Sequence, residues 1–387
     1  MTNELVFDPI RLPPVCQDLR REARAFLAQE IERGSFDPRY PRKNEGADAR
    51  SFARRVAEKG WIGMTWPKQY GGRERSFLER YVLTEEFRIA NAPVRHYFTA
   101  DRQSGPTLIK YAAEHIKQSI LPRIVRGELQ FCIGLSEPNS GSDLFAARAK
   151  AMKVNGGWVL NGTKTWTTNG HSADYMIGLF RTSPATKENR RHGLTSFLID
   201  MKTTGITCGD IQQMNGGHDF NEVSFQEVFV AEDHLIGEID NAWKQATTEL
   251  AYERSGPERF LETYYVLDEL VKILGPDCDS RAKEGVGKLV AQLHTLRRMS
   301  VSIAGMLEAG QEPTVESSIV KDLGTIWEQE LPNNVRSIAS LIDRSNGKTL
   351  LLDEMLEYAL ATAPKFTIQG GTTEILRGII ARGLGLR

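Results

Sequence analysis

Residues 131–143 read FCIGLSEPNSGSD. The run opens as a short apolar strand, breaks at Ser136-Glu137-Pro138, and passes into the small-residue turn Asn139-Ser140-Gly141-Ser142-Asp143. Such a turn lets backbone N–H groups and short hydroxyls come close to a phosphate or a ring edge, because few side-chain atoms stand in the way. A plain Gly/Ser connection between strands has the same composition, so the turn alone leaves both readings open.

Around this run the periodicity changes twice. Before it, Leu19, Ala23, Phe26, Leu27 and Ile31 recur at helical spacing, as do Phe52, Val56 and Ala57. A further helix is predicted over 77–90, carrying Glu85-Glu86, after a stop at Tyr70-Gly71-Gly72. From 131 to 236, the segments 158–162, 175–181, 195–200 and 223–230 are short, rich in β-branched or aromatic residues, and punctuated by Gly, Asn and Asp. They read as strands. Beyond them, helices are predicted over 243–273, 281–307, 316–345 and 351–361, with a shorter one over 372–382. The expected fold is mainly α with an inserted β domain. It comprises an N-terminal helical domain (1–128), a small β-barrel-like middle domain (129–236) and a C-terminal four-helix bundle (237–387).

Composition narrows the function classes. The 387 residues are 40% hydrophobic and 26% charged, within the ordinary globular range. A formal net charge of -1 argues against a nucleic-acid binder driven by bulk electrostatics. No apolar run reaches membrane-span length, and MTNELVFDPIRLPPV lacks the basic-then-apolar order of a secretory signal. Cys16, Cys132, Cys208 and Cys278 are scattered without a CxxC pair, which reads as reduced thiols in a cytoplasmic protein. The histidines form no HxxxH pair; no Gly-x-Ser-x-Gly elbow and no GxGxxG after a strand occur. Gly347-Lys348-Thr349 has the ending of a phosphate loop, but Ile342 stands where that motif needs its first glycine.

The run 131–143 as a whole resembles the first signature of the acyl-CoA dehydrogenase family, Ser/Thr-Glu-Pro-x-x-Gly-Ser-Asp, which there cradles FAD. The string Asn161-Gly162-Thr163-Lys164-Thr165-Trp166-Thr167-Thr168-Asn169 is similar to the family's second flavin segment. A lone strand Trp is more often core than cofactor contact; the full string carries the resemblance. Trp61–Gly72, Glu85-Glu86, 121–128 and Asn221-Glu222-Val223 with Phe225 also look like family segments, so the resemblance covers nearly the whole chain. It implies FAD contacts at Ile133, Leu135, Ser136, Gly141, Ser142, Trp166, Thr168, Thr372 and Glu374, with Trp166 against the isoalloxazine and Thr168 near its reactive nitrogen. It implies acyl-CoA contacts at Ser142, Arg254 and Gly371. The basic loop 182–193, with Lys187, Arg190, Arg191 and His192, is either a solvated loop or a partner for coenzyme A phosphates.

The chemistry so implied removes a weakly acidic proton beside a thioester carbonyl while a hydride leaves the next carbon. It needs a carboxylate held near the α-carbon. In most of the family this is a glutamate before Gly-Thr in a C-terminal motif; here that position is Gly370. In isovaleryl-CoA and long-chain acyl-CoA dehydrogenases the base directly precedes an arginine on a C-terminal helix. Aligned on Arg254, Glu253 takes that place, against the alternative of an ordinary helix-surface glutamate. Pro257 lacks an N–H for the carbonyl of Glu253 and distorts the helix there. Gly370 keeps its backbone N–H for the thioester carbonyl, and its missing side chain leaves room for a branched or bulky acyl group.

Two family segments are altered. The usual Arg-x-x-Phe-Gly is replaced around Arg281–Lys288, and Gly-Gly-x-Gly-Tyr is replaced by Ser345-Asn346-Gly347-Lys348-Thr349. Both normally serve the adenosine and pyrophosphate of FAD from a neighbouring subunit. The resemblance therefore implies a homodimer or homotetramer, or a heteromer with a related subunit, reoxidised by an electron-transfer flavoprotein. An acyl-CoA oxidase and an acyl-CoA-binding partner subunit are the rival readings, the first disfavoured by the chain's length.

Overall fold

The computed structural model describes residues 5–40, 48–186, 189–242, 254–343 and 347–386. In chain order the helices are α1 (Pro14–Glu32), α2 (Ala49–Glu58), α3 (Phe77–Ile89), α4 (Arg95–Thr99), α5 (Gly105–Tyr111) and α6 (Glu114–Val125). Among the described residues eight strands follow: β1 (Phe131–Gly134), β2 (Lys150–Val154), β3 (Gly157–Thr168), β4 (Tyr175–Arg181), β5 (Leu194–Asp200), β6 (Ile206–Ile211), β7 (Phe220–Ala231) and β8 (Leu235–Ile236). Then come α7 (Tyr264–Leu274), α8 (Ser280–Glu308), α9 (Thr314–Ala339), α10 (Leu350–Thr362) and α11 (Thr373–Gly383). The helical, mixed-sheet, helical order matches the expected fold class. Among the described residues no helix is long and apolar enough to cross a membrane.

Two compact units divide the chain: Met1–Ala47 with Ser76–Pro93 and Ala251–Arg387, and Asp48–Arg75 with Val94–Leu250. The helices before β1 are thus shared out, α1 and α3 joining the C-terminal helices and α2 with α4–α6 joining the sheet.

In the sheet unit the strand order is β6-β7-β3-β2-β4-β5-β8, with β1 pairing β4 in parallel. The long antiparallel pair β3–β7 is its spine. Trp158, Leu160, Phe180, Phe197, Ile199, Val223, Phe225 and Val228 fill its core.

In the helical unit, residues of α7, α8, α9 and α10 share one apolar core around Leu270, Leu289, Leu296, Trp327, Leu331 and Leu356. The helix expected over 243–273 is broken. Arg254 is helical, Gly256 is extended (φ -75, ψ 167), and Pro257–Arg259 forms a short 3-10 turn before α7. A proline forces the residue before it out of the helical region and offers no N–H, so the ladder stops there. Residues 243–253 lie outside the described residues. The helix expected over 316–345 ends at Ala339, where Leu341 and Ile342 N–H groups tighten onto the carbonyls of Ile338 and Ala339.

α3 starts with a reciprocal cap: the Ser76 hydroxyl accepts the Glu79 N–H at 3.1 Å and the Glu79 carboxylate accepts the Ser76 N–H at 3.0 Å. Its Glu85 and Glu86 are buried and enclosed by arginines. Glu85 accepts from Arg20 at 2.8 Å and from Arg297 at 3.0 Å; Glu86 accepts from Arg24 at 2.7 Å and also pairs with Arg20. The Glu85-Glu86 dipeptide is therefore the electrostatic junction of α1, α3 and α8.

Glu85→Ala leaves Arg20 and Arg297 beside an empty buried position and is expected to lower stability by about 3–5 kcal/mol, as broken buried pairs do. Asp18→Ala, which removes only an exposed pair with Arg21, is expected to change it by less than about 1 kcal/mol. Urea midpoints of the two variants test the contrast.

Candidate active site

The signature run folds as a strand followed by an anchored turn. Ile133 pairs with Ile177 of β4. Past Gly134 the chain crosses β3: the Leu135 carbonyl accepts from Lys164 Nζ at 3.3 Å and the Ser136 carbonyl from the Thr165 N–H at 2.9 Å. Glu137 and Ser140 then exchange backbone bonds of 2.8 and 3.0 Å, and the Ser140 hydroxyl donates to the Asp143 carbonyl at 2.7 Å. The Glu137 carboxylate points inward. It accepts Lys164 Nζ at 2.8 Å, the Ala149 N–H at 3.0 Å and the Arg148 N–H at 2.7 Å. Burial pulls the Lys164 ammonium pKa down, and Glu137 works against that shift. With Glu137 pinned inside, Gly141 and Ser142 face out, and the space beside the Gly141 α-carbon is open.

On β3 the ladder with β7 slips between Lys164 and Thr167. Trp166 sits in that irregularity at φ 58° and is 58% exposed, its ring edge-on to Phe220 with centroids 5.9 Å apart. Positive φ is strained for a bulky residue, and an inserted residue turns its side chain off the regular face. Thr165 and Thr167 go inside; Trp166 and Thr168 go out together. The main-chain bonds of Leu135 and Ser136 place this pair on the strand beside the signature turn.

A separate group forms in the helical unit. Arg254 is 4% exposed and its Nε donates to the Gly370 carbonyl at 2.9 Å. Its guanidinium lies 3.3 Å from where a Gly371 side chain would begin. Gly370 and Gly371 have φ of 67° and 107°, conformations that a residue with a β-carbon adopts only under strain. Thr372 then caps α11, accepting the Ile375 N–H at 3.4 Å, and Glu374 lies exposed in the first turn. Its own backbone N–H and the Thr372 side chain hold the Glu374 carboxyl below the usual range.

One face of α9 holds both chain segments of this group. Lys321 Nζ donates to the Phe366 carbonyl at 2.9 Å, fixing the approach to Gly370. Trp327 Nε1 donates to the Phe260 carbonyl at 3.0 Å, and Glu328 accepts the N–H groups of Glu262 and Thr263 at 2.6 and 2.8 Å. These bonds satisfy polar groups that the proline break released. Gly324 lets the helix come so close that an added side chain would begin 2.3 Å from the Arg259 carbonyl. Burial pushes the Glu328 carboxyl up to about 7, against the hydrogen bond from Thr263.

The structure thus brings Ile133, Leu135, Ser136, Gly141 and Ser142 onto one segment beside Trp166 and Thr168, and Arg254, Gly370 and Gly371 into a second cluster. Glu253 and Lys187 lie outside the described residues. In the basic loop Arg190 pairs with Asp143 at 2.9 Å and Arg191 lies over the Phe145 ring at 5.6 Å, so the loop folds back onto the signature segment. Sequence reasoning missed Glu137, Lys164, Lys321 and Glu328. A lysine within a strand otherwise packed into the sheet is the signal that marks Lys164.

Residues 132–228 match the family model "Acyl-CoA dehydrogenase, middle domain" and residues 14–128 match "Acyl-CoA dehydrogenase, N-terminal domain". The chain is 30% identical to acyl-CoA dehydrogenase IpdE1 of Mycolicibacterium smegmatis, covering 96% of this chain and 97% of the relative. It is 31% identical to acyl-CoA dehydrogenase FadE34 of Mycobacterium tuberculosis over 86% of this chain, and spans only 45% of that protein's length. Among solved structures, the Tcur3481-Tcur3483 steroid ACAD superposes with a TM-score of 0.83 at 27% identity, covering 97% of this chain and 98% of that one.

The sheet unit fits FAD, the cofactor of that family. An exposed Trp166, an adjacent Thr168 hydroxyl and the open turn at Gly141-Ser142 supply an aromatic face, a polar edge contact and room for close backbone approach. Glu137→Ala is expected to lose about 3–5 kcal/mol and to lower FAD retention on gel filtration, because buried Lys164 is left unpaired. The double variant Glu137→Ala, Lys164→Met is expected to recover part of the stability. Glu328 supplies a pH test. Its folded pKa lies above the unfolded one, so its stabilising contribution is present below about 4.5 and lost as pH rises through about 7. Denaturation midpoints between pH 5 and 8 are expected to fall in the wild type and to flatten in Glu328→Gln.

Proposed function

This chain belongs to the acyl-CoA dehydrogenase family of FAD-dependent oxidoreductases acting on CH–CH groups, and on that premise we propose that it converts an acyl-CoA to a 2-enoyl-CoA with Glu253 as the base. The observation that carries the proposal is the hydrogen bond from Arg254 to the Gly370 carbonyl. It ties the residue next to Glu253 to the turn whose N–H groups suit a thioester oxygen.

Each residue then has a chemical task. Glu253 takes the α-proton. The break at Ser255-Gly256-Pro257 follows Arg254 directly, and water exclusion by a bound acyl chain raises carboxylate basicity. The Gly370 N–H donates to the thioester carbonyl oxygen, and Gly371 lets the backbone approach it. Such donors contribute several kcal/mol when aimed at developing negative charge, about 3–4 for a single donor. Arg254 holds the carbonyl of the same residue, Gly370, and so fixes the peptide that follows that donor. Trp166 and Thr168 orient the flavin ring, with Ile133, Leu135, Ser136, Gly141 and Ser142 along its edge and Thr372 and Glu374 at the second cluster. FAD, when bound, supplies the hydride acceptor. An electron-transfer flavoprotein serves as the onward acceptor, and the C-terminal helices around Leu331 form a four-helix bundle.

A heteromeric assembly is the second reading. The altered segments around Arg281–Lys288 and 345–349 favour it, as does likeness to a steroid ACAD named for two chains. In that assembly a related subunit completes the adenosine side of the FAD site, and Gly370 admits a bulky acyl group such as a steroid side chain.

One preparation tests both readings. The protein purified alone is expected to show a flavin band that bleaches anaerobically with a bulky acyl-CoA; a colourless protein that gains flavin only beside a co-produced homologue supports the heteromer instead. Glu253→Gln is expected to slow bleaching about 100–10,000-fold while still binding acyl-CoA. Bleaching at the wild-type rate would remove Glu253 as the base.

A further inference from the structure

We propose that His171, Asp210 and His218 form a binding site for a divalent transition cation of the zinc class, on the sheet unit and apart from the residues assigned above. One ring nitrogen of each histidine and one Asp210 oxygen lie within 4.8 Å of one another. All three side chains are exposed and come from different segments: the turn after β3, the strand β6, and the connection between β6 and β7. The two rings lie edge to face with centroids 5.3 Å apart. His218 Nδ1 stands 4.0 Å from Asp210 Oδ1, too far for a hydrogen bond between them.

The buried Asn221 supports the cluster from β7. Its Oδ1 accepts the backbone N–H of His171 at 3.1 Å, and its Nδ2 donates to Asp210 Oδ1 at 3.1 Å. Both contacts fix the amide the same way round, because a backbone N–H only donates and an ionised carboxylate only accepts. Asn221 Oδ1 also meets His171 Nδ1 at 3.0 Å, so that nitrogen carries the proton. His171 Nε2 therefore keeps its lone pair outward. A hydrogen bond that sets the tautomer and ring orientation of a histidine is the usual support of a ligating imidazole. Asn221 aligns Asp210 through the same side chain, across the register pair Asp210–Asn221.

The donor set selects the ion. Two imidazoles and one carboxylate suit zinc, cobalt, nickel or copper and not calcium or magnesium, which take oxygen ligands. Bonds of about 2.0–2.2 Å need ligand atoms roughly 3–4 Å apart. Rotations about the side-chain bonds of three exposed residues close the observed spacing to that value. A bound ion would cross-link the turn that follows Trp166 and Thr168 to the β6–β7 hairpin, and so stabilise the folded unit by mass action.

Tag-free, chelator-treated full-length protein titrated with Zn²⁺ by calorimetry tests this. One equivalent per chain is expected, with a rise in thermal midpoint that EDTA reverses. His171→Ala and Asp210→Asn are each expected to weaken Zn²⁺ binding tenfold or more, and to keep the wild-type melting midpoint in EDTA because both side chains are exposed. His192→Ala, in the loop before β5, is expected to leave the titration unchanged. No zinc uptake by the wild type, or equal affinity in the His171→Ala, His218→Ala double variant, would overturn the site.

Discussion

An ammonium and a carboxylate taken out of water together are tolerated only where close hydrogen bonds offset the lost hydration. Lys164 and Glu137 meet that condition, with two backbone N–H groups completing the carboxylate and the Leu135 carbonyl completing the ammonium. This arrangement fixes which way the signature turn faces. With Glu137 held inside, the small residues Gly141 and Ser142 are presented outward. With Lys164 held inside, the strand irregularity that follows sends Trp166 and Thr168 outward. A surface built of glycine, serine and one exposed aromatic has little packing of its own, so its shape is set by the charge pair beneath it.

The second cluster depends on a different constraint. Pro257 stops a helix, and the polar groups freed by that stop are taken up by Trp327 and Glu328 of α9. The same helix reaches the carbonyl of Phe366 through Lys321. A single rigid element therefore positions both the segment after Arg254 and the segment before Gly370. Arg254 then joins the two directly. Gly324 makes the close approach physically possible, and burial there pushes the Glu328 carboxyl up.

Much of this was legible in the chain. The strands at 175–181 and 195–200 are short, β-branched and bounded by turn residues, and they occur as β4 and β5 almost to the residue. The motif around Trp166 pointed to an outward aromatic, which alternation alone would have placed in the core. The helix expected over 243–273 carries Pro257, whose expected effect is a distortion; the structure makes it a full break, with Gly256 extended and Pro257–Arg259 in a 3-10 turn. The domain-like split of the first helices was also hidden. α1 and α3 carry apolar faces like those of α2 and α6, and periodicity does not say which partner each face will meet.

By itself the sequence determined element types and the family, because periodicity, turn residues and short motifs are local properties. The tertiary structure alone decided that Glu137 and Lys164 are one buried pair, that Lys321 and Glu328 brace two distant segments, and that Asn221 orients a histidine and an aspartate at the surface. Those facts concern charged and polar side chains whose partners lie up to 66 residues away, as Glu262 does from Glu328. A charged residue's spacing along the chain carries no record of its partner; only the folded packing, which removes water and demands a hydrogen bond for each buried group, fixes the match.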